Sequence, residues 1–145
     1  MNARCFLLLC SMCAALVSAS GAPQSVWSGL VIANNVAQPA PIPAELTRIE
    51  GELKGVFGYN QFQIIGQEKK TLRNGQEDWM ARSKYFALKV DSKAETPTGY
   101  QLNLQLFKER ELLLETEAKL AVSKPLVIKG PQVGDGQLLL VLMIM

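Results

Sequence analysis

The stretch QLLLVLMIM, residues 137–145, contains eight consecutive apolar residues after Gln137. It is too short to cross a membrane as a helix, which needs about 20 apolar residues. A short run that is apolar on both faces is typical of a strand in the middle of a sheet, covered on each side. The run therefore predicts a central strand, and the rest of the sequence must cover both of its faces.

A second strand of this kind is predicted at residues 26–33, VWSGLVIA, which carries consecutive aliphatic residues at 30–32. Pro39, Pro41 and Pro43 follow and predict an extended connection. Because both predicted strands are apolar on both faces, we expect them to be neighbours in the sheet.

Residues 43–58 predict a helix. Pro43 suits the first turn and Gly58 is placed to end the helix. The apolar residues between them fall at helical spacing and form one stripe: Leu46, Ile49, Leu53, Val56 and Phe57. This helix can cover only one face of the predicted central strand.

Beyond residue 60 the apolar period changes to two, which predicts a series of antiparallel strands. Turns are expected at Asn74-Gly75, at 108–111 and at 130–136. Within 110–122, the residues expected on one face are Leu112, Leu114, Thr116, Ala118 and Leu120. The predicted fold class is α+β, with one amphipathic helix packed on an antiparallel sheet of about five to seven strands, in the order strand, helix, β-meander.

Residues 1–21 have the pattern of a signal peptide: Arg4, then an apolar segment at 5–17, then small residues. The three cysteines, Cys5, Cys10 and Cys13, all lie inside it. The predicted organisation is a signal peptide at 1–21, a first strand with its proline-rich connection at 22–44, and the helix plus sheet at 45–145. We expect an exported bacterial protein, periplasmic or extracellular, whose domain is held by its core rather than by disulfides.

The composition argues against several classes of function. The chain has no histidine, so histidine-dependent triads are excluded, and no G-x-S-x-G motif occurs. The acidic residues are scattered, and neither a metal nor another cofactor is predicted. Lys and Arg total 15 and Asp and Glu total 13, a balance that argues against nucleic-acid binding. We expect a protein that is not an enzyme.

Two candidate sites remain. Glu77, Asp78 and Trp79 predict a ligand loop, because a carboxylate beside an aromatic ring suits a sugar or a cation. Leu139, Val141 and Met143 predict an interaction strand, because the helix leaves one face of the strand uncovered; the opposite face, Leu138, Leu140 and Leu142, is the alternative. The cover could be the proline-rich connection, other parts of the same domain, a second copy of the chain or a partner protein.

Two segments carry a resemblance to a family. The helix finishes with Leu53-Lys54-Gly55-Val56-Phe57-Gly58-Tyr59, and Gly130-Pro131-Gln132-Val133-Gly134-Asp135-Gly136 precedes the final apolar strand. In these features the chain resembles a loosely defined, functionally uncharacterised group of small exported bacterial α+β proteins. The resemblance implies a bacterial, exported origin and a compact α+β domain. It implies no catalytic or binding residue.

Overall fold

A computed structural model describes residues 23–145, which form eight strands and one short helical segment. The segment begins as a 3₁₀ helix at Ala44–Ile49 and continues as α1, Glu50–Phe57. The strands are β1 Gln24–Asn34, β2 Gln61–Leu72, β3 Asp78–Arg82, β4 Phe86–Thr96, β5 Gly99–Lys108, β6 Glu111–Ala121, β7 Leu126–Val133 and β8 Gly136–Ile144. The predicted signal peptide lies outside the described residues.

The predicted α+β class is confirmed, but the expectation of one sheet of five to seven strands is wrong. The strands form two antiparallel four-stranded sheets, in the orders β2-β1-β8-β7 and β3-β4-β5-β6. The second sheet is a meander. An alternating pattern tells which face of a strand is buried, but not which sheet the strand joins, and therefore the division into two sheets was not visible in the sequence.

β8 lies between β1 and β7, and all nine of its residues are buried. Its even-numbered side chains, such as Leu140 and Leu142, pack between the two sheets. Its odd-numbered side chains Leu139, Val141 and Met143 lie in a second core beneath the helical segment. The expected pairing of the two doubly apolar strands is confirmed, with Leu30 opposite Leu140.

The helical segment covers the outer face of β1 and β8. Leu46, Ile49 and Leu53 are fully or almost fully buried, and Gly58 ends α1 with a φ of 72°. Val56 was expected in this stripe, but its side chain is 74% exposed. The buried residues follow a spacing of three in the 3₁₀ turn and then of four, which favours Phe57 over Val56 on the packed side.

Gly66 marks the side on which the two sheets meet closely. A Cβ atom at this position would lie 2.1 Å from the backbone oxygen of Arg82, so β2 and β3 approach backbone to backbone. We call this the closed side of the molecule. Only glycine allows this approach, because any side chain would force the two edge strands apart.

We expect Gly66→Ala to lower the free energy of unfolding by about 1–3 kcal/mol, because the added methyl group forces two backbones apart. Gly51→Ala is the matched control, since nothing lies within 4 Å of its Cβ position on α1. That variant should be stabilised by up to about 1 kcal/mol. Urea unfolding followed by tryptophan fluorescence measures the free energy of unfolding of both variants. Equal effects of the two substitutions would contradict the close backbone approach of β2 and β3 at Gly66.

Candidate interaction surface

The three residues of the predicted ligand loop do not share a surface. Glu77 is half-buried and its carboxylate accepts hydrogen bonds inside its own loop, whereas Asp78 is exposed. Trp79 is buried between the sheets and its Nε1 donates to Ser28 Oγ at 2.9 Å. Successive residues of β3 point to opposite faces, so adjacency in the sequence did not mean adjacency in space. The Trp79 ring is not available to stack on a ligand at the surface.

Glu77 instead holds the connection between the sheets in place. Its Oε2 accepts hydrogen bonds from the backbone N–H groups of Arg73, at 2.6 Å, and Asn74, at 3.2 Å. The Arg73 hydrogen bond is the main reason why the pKa of Glu77 is lowered, although burial opposes it. Ser92 Oγ donates to the carbonyl of Gly75 at 2.6 Å and ties the same loop to β4.

The predicted interaction strand is covered within the chain itself. Leu139, Val141 and Met143 lie in the second core with Leu46 and Leu53 of the helical segment. A partner could reach these three side chains only if the helical segment moved away. The apolar face is therefore covered by the chain's own helical layer, and the accessible apolar surface lies elsewhere.

The strands β6 and β7 form the opposite, open side of the molecule. Each is the outermost strand of its sheet, and the two lie near each other without pairing. Several core side chains are only partly buried along this side. They are Leu114 and Ala118 on β6, and Leu126, Ile128 and Val133 on β7. Unlike the closed side, the open side leaves apolar surface and an edge of backbone groups accessible.

The beginning of β6 is the most apolar part of this edge. Leu112 is 46% exposed and Leu113 is 37% exposed. The register shifts here, so that Leu112 faces Phe107 and Leu114 faces Leu106, with Leu113 as the extra residue of a bulge. The bulge turns Leu112 away from the face it was expected to share with Leu114. Sequence reasoning missed this site, although a run of three leucines that breaks the alternation was a signal for it.

A groove runs beside Leu113, between the edges of the two sheets. It has a volume of about 410 Å³ and is lined by Leu113, Pro131, Val133 and Tyr85, among others. This size is sufficient for one or two side chains. The groove lies at the end of the open side, where the chain turns between β3 and β4 and between β7 and β8.

Tyr85 stands at the end of this groove, on a backbone that is held rigidly. Its side chain is 51% exposed. Its carbonyl accepts a hydrogen bond from the N–H of Glu109 at 2.8 Å, and Ser83 and Phe86 bridge the turn on either side of it. An exposed aromatic side chain is a common anchor for a binding partner, because it offers a large contact area with only two side-chain torsions to order.

Within residues 23–145 we find no group of three or more acidic residues that could hold a metal ion. In the same part of the chain, no helix has the length and apolar character to cross a membrane. Comparison of the chain with models of protein families, with curated proteins and with solved structures found no match.

We expect Glu77→Gln to lower stability at neutral pH, because a neutral amide accepts the Arg73 and Asn74 hydrogen bonds more weakly than a carboxylate does. The pKa of Glu77 is lowered in the folded state, so this stabilisation is complete above the unfolded-state pKa and is lost as the pH falls through the folded-state pKa. The difference from the unchanged protein should therefore be constant from about pH 7 to about pH 5 and shrink as the pH falls below the ordinary glutamate pKa of about 4.3.

Chemical unfolding at a series of pH values measures this difference. Glu117→Gln is the control, because its exposed carboxylate makes no hydrogen bond within the described structure. A Glu77→Gln effect that stays constant across the pH range would show that the charge of Glu77 does not hold the loop.

Proposed function

We propose that this is an exported, non-enzymatic protein-interaction domain that binds an extended segment of a partner protein along β6. The observation that carries the proposal is the exposure of Leu112 and Leu113 on an edge strand that pairs on one side only. Addition of a strand to an exposed sheet edge is a recurrent mode of peptide recognition. The backbone supplies affinity in this mode, and pockets for alternate side chains supply specificity.

The groove beside Leu113 supplies such a pocket. A segment that pairs with the edge of β6 passes the mouth of this groove, so one of its apolar side chains can enter between Leu113 and Pro131. Further along β6 the exposed residues are charged, which protects that part of the edge from unspecific pairing. The start of the strand lacks this protection and is the place where we expect contact to begin.

The charges on β6 define the partner's chemistry. Glu111, Glu115 and Glu117 give the strand an acidic character, with Lys119 as its one cation. A second copy of β6 fits poorly: symmetric antiparallel pairing centred on any residue from 113 to 117 places two glutamates opposite each other. Like charges in directly opposite positions are destabilising. We therefore expect a different protein, whose segment alternates apolar residues with Lys or Arg.

The proposed location follows from the pattern of residues 1–21. An apolar segment with a preceding Arg4 and following small residues is typical of a signal peptide, and no cysteine occurs after Cys13. A domain without disulfides depends on its two cores alone for stability, in an oxidising or a reducing environment. The same pattern and the family resemblance support a bacterial periplasmic or extracellular location.

A photo-reactive benzoylphenylalanine in place of Leu113 tests the proposal in cells of the natural host, with the full chain expressed. We expect a discrete adduct with another protein from position 113 and none from position 56, since Val56 is still more exposed but lies on α1. Mass spectrometry of the adduct should identify an extended apolar and basic segment. An adduct with a second copy of this chain, or equal adducts from both positions, would contradict the proposal.

We expect Leu112→Lys, introduced into the same photo-reactive protein, to lower the adduct yield by at least about tenfold, because a charge would replace the apolar cross-strand contact with a side chain of the added, basic segment. The free energy of unfolding should change by less than about 0.5 kcal/mol, because the side chain is exposed. Val122→Lys is a matched control at an exposed position just beyond β6 and should preserve the adduct. An undiminished adduct in Leu112→Lys would show that the segment does not pair along β6.

A further inference from the structure

A cleft of about 520 Å³ lies between the β3–β4 turn and the β5–β6 turn, and it shares Tyr85 and Phe86 with the groove beside Leu113. We call it the Tyr85 cleft. The residues that define its chemistry are Arg82, Lys84, Tyr85, Phe107, Glu109 and Arg110. A volume of this size is in the range of small-ligand sites.

The charge of the Tyr85 cleft is strongly one-sided. Arg82, Lys84 and Arg110 line it, and Glu109 is the only acid among its lining residues. The chain as a whole is nearly balanced, with 15 basic and 13 acidic residues. The one ion pair within residues 23–145 joins Lys54 to Glu50 on α1, so no ion pair neutralises the cations of the cleft. Uncompensated cations around a concave surface raise the local concentration of anions.

The walls of the cleft also offer apolar surface. Tyr85 is exposed, Phe107 is half-buried on the outer face of β5, and Met80 and Ala87 lie beside them. The Lys84 ammonium lies 5.3 Å from the centre of the Tyr85 ring. A bare inorganic anion would use the cations but not these side chains. A ligand that uses both therefore carries an anionic group on an otherwise apolar-faced body.

The backbone around the cleft is held in a fixed, strained geometry. Glu109 has a φ of 57° and is the one residue other than glycine with a positive φ within residues 23–145. Its N–H donates to the carbonyl of Tyr85 at 2.8 Å, which joins the two turns. Residues held in such conformations cost energy and are concentrated at functional sites. The hydrogen bond between Glu109 and Tyr85 thus fixes the spacing of the two turns that form the cleft.

We propose that the Tyr85 cleft binds an acidic saccharide, with the carboxylate of a uronic acid held by the arginines and the sugar ring against Tyr85. Arg guanidinium groups bind carboxylates in a planar, two-point geometry. The C–H face of a sugar ring packs on an aromatic side chain. The ligand site of this chain is therefore placed at the turns around Tyr85, rather than at the predicted loop of Glu77, Asp78 and Trp79.

Chemical-shift titration of the full-length ¹⁵N-labelled protein with trigalacturonic acid tests this proposal. The control ligand is its methyl ester, which has the same rings without the charges. We expect the acid to shift the amide signals of residues 83–86 and 109–110, and the ester to bind at least about tenfold more weakly. Equal binding of the acid and the ester, or no binding of either, would overturn the proposal.

Two substitutions in the same turn should have opposite effects. Arg110→Gln removes a cation from the cleft and should weaken binding at least about fivefold, whereas Glu109→Gln removes its only acid and should strengthen binding at least about twofold. Lys129→Gln removes an exposed cation from β7, outside the cleft, and should leave affinity unchanged. Changes of the same sign for the first two would contradict charge recognition in the cleft, and an equal loss in the third would show that only overall charge matters.

Two further ligands test whether the cleft instead binds a free phosphate or the headgroups of an anionic membrane. Inorganic phosphate should displace the trisaccharide only weakly, because it makes no use of Tyr85. Vesicles of phosphatidylglycerol should leave residues 83–86 and 109–110 unperturbed, because a concave cleft does not fit a flat surface. Displacement by phosphate at the same concentration as the trisaccharide, or perturbation of these residues by vesicles alone, would overturn the saccharide assignment. The titration follows residues 83–86 and 109–110 and contains no partner segment, so its outcome does not depend on whether β6 binds another protein.

Discussion

The double burial of β8 is the constraint on which the rest of the molecule depends. A strand whose nine residues are all buried needs a strand on each side and a layer on each face. β1 and β7 supply the lateral pairing, the second sheet covers one face, and the helical segment covers the other. The three layers follow from this one requirement, because an uncovered face of leucines and valines would expose a large apolar surface to water.

The edge strands of the two sheets approach closely on one side of the molecule and remain apart on the other. This difference leaves the edge of β6 accessible. On the closed side, Gly66 permits direct approach of the two edge strands, which leaves no room for a further strand at this point. On the open side, β6 and β7 remain apart and core side chains such as Ile128 are only partly covered. Natural sheets usually protect such edges. Here the charges of β6 protect its central part and leave Leu112 and Leu113 accessible.

Much of the fold could be predicted from the sequence, because strong local patterns determine it. The run at residues 137–145 and the run at 26–33 identified two doubly buried strands, and Gly58 marked the end of the helix. The errors arose where geometry departs from a regular period. A 3₁₀ turn moved Val56 out of the stripe, and a bulge at Leu113 turned Leu112 outward. The division into two sheets depends on long-range packing that alternation does not encode.

The pairing of β1 with β8 also has a consequence for how the chain folds. More than a hundred residues separate Leu30 from its partner Leu140, so the central contact of the first sheet is among the most distant in the sequence. β7 has β8 as its only neighbour in the sheet, and β1 is left with β2 alone until residues 136–144 arrive. The meander β3 to β6 can pair locally, but the sheet beneath the helical segment is assembled by the last strand described. A topology dominated by such distant pairings belongs to the slow-folding class, in which the apolar face of β1 stays uncovered until late in folding.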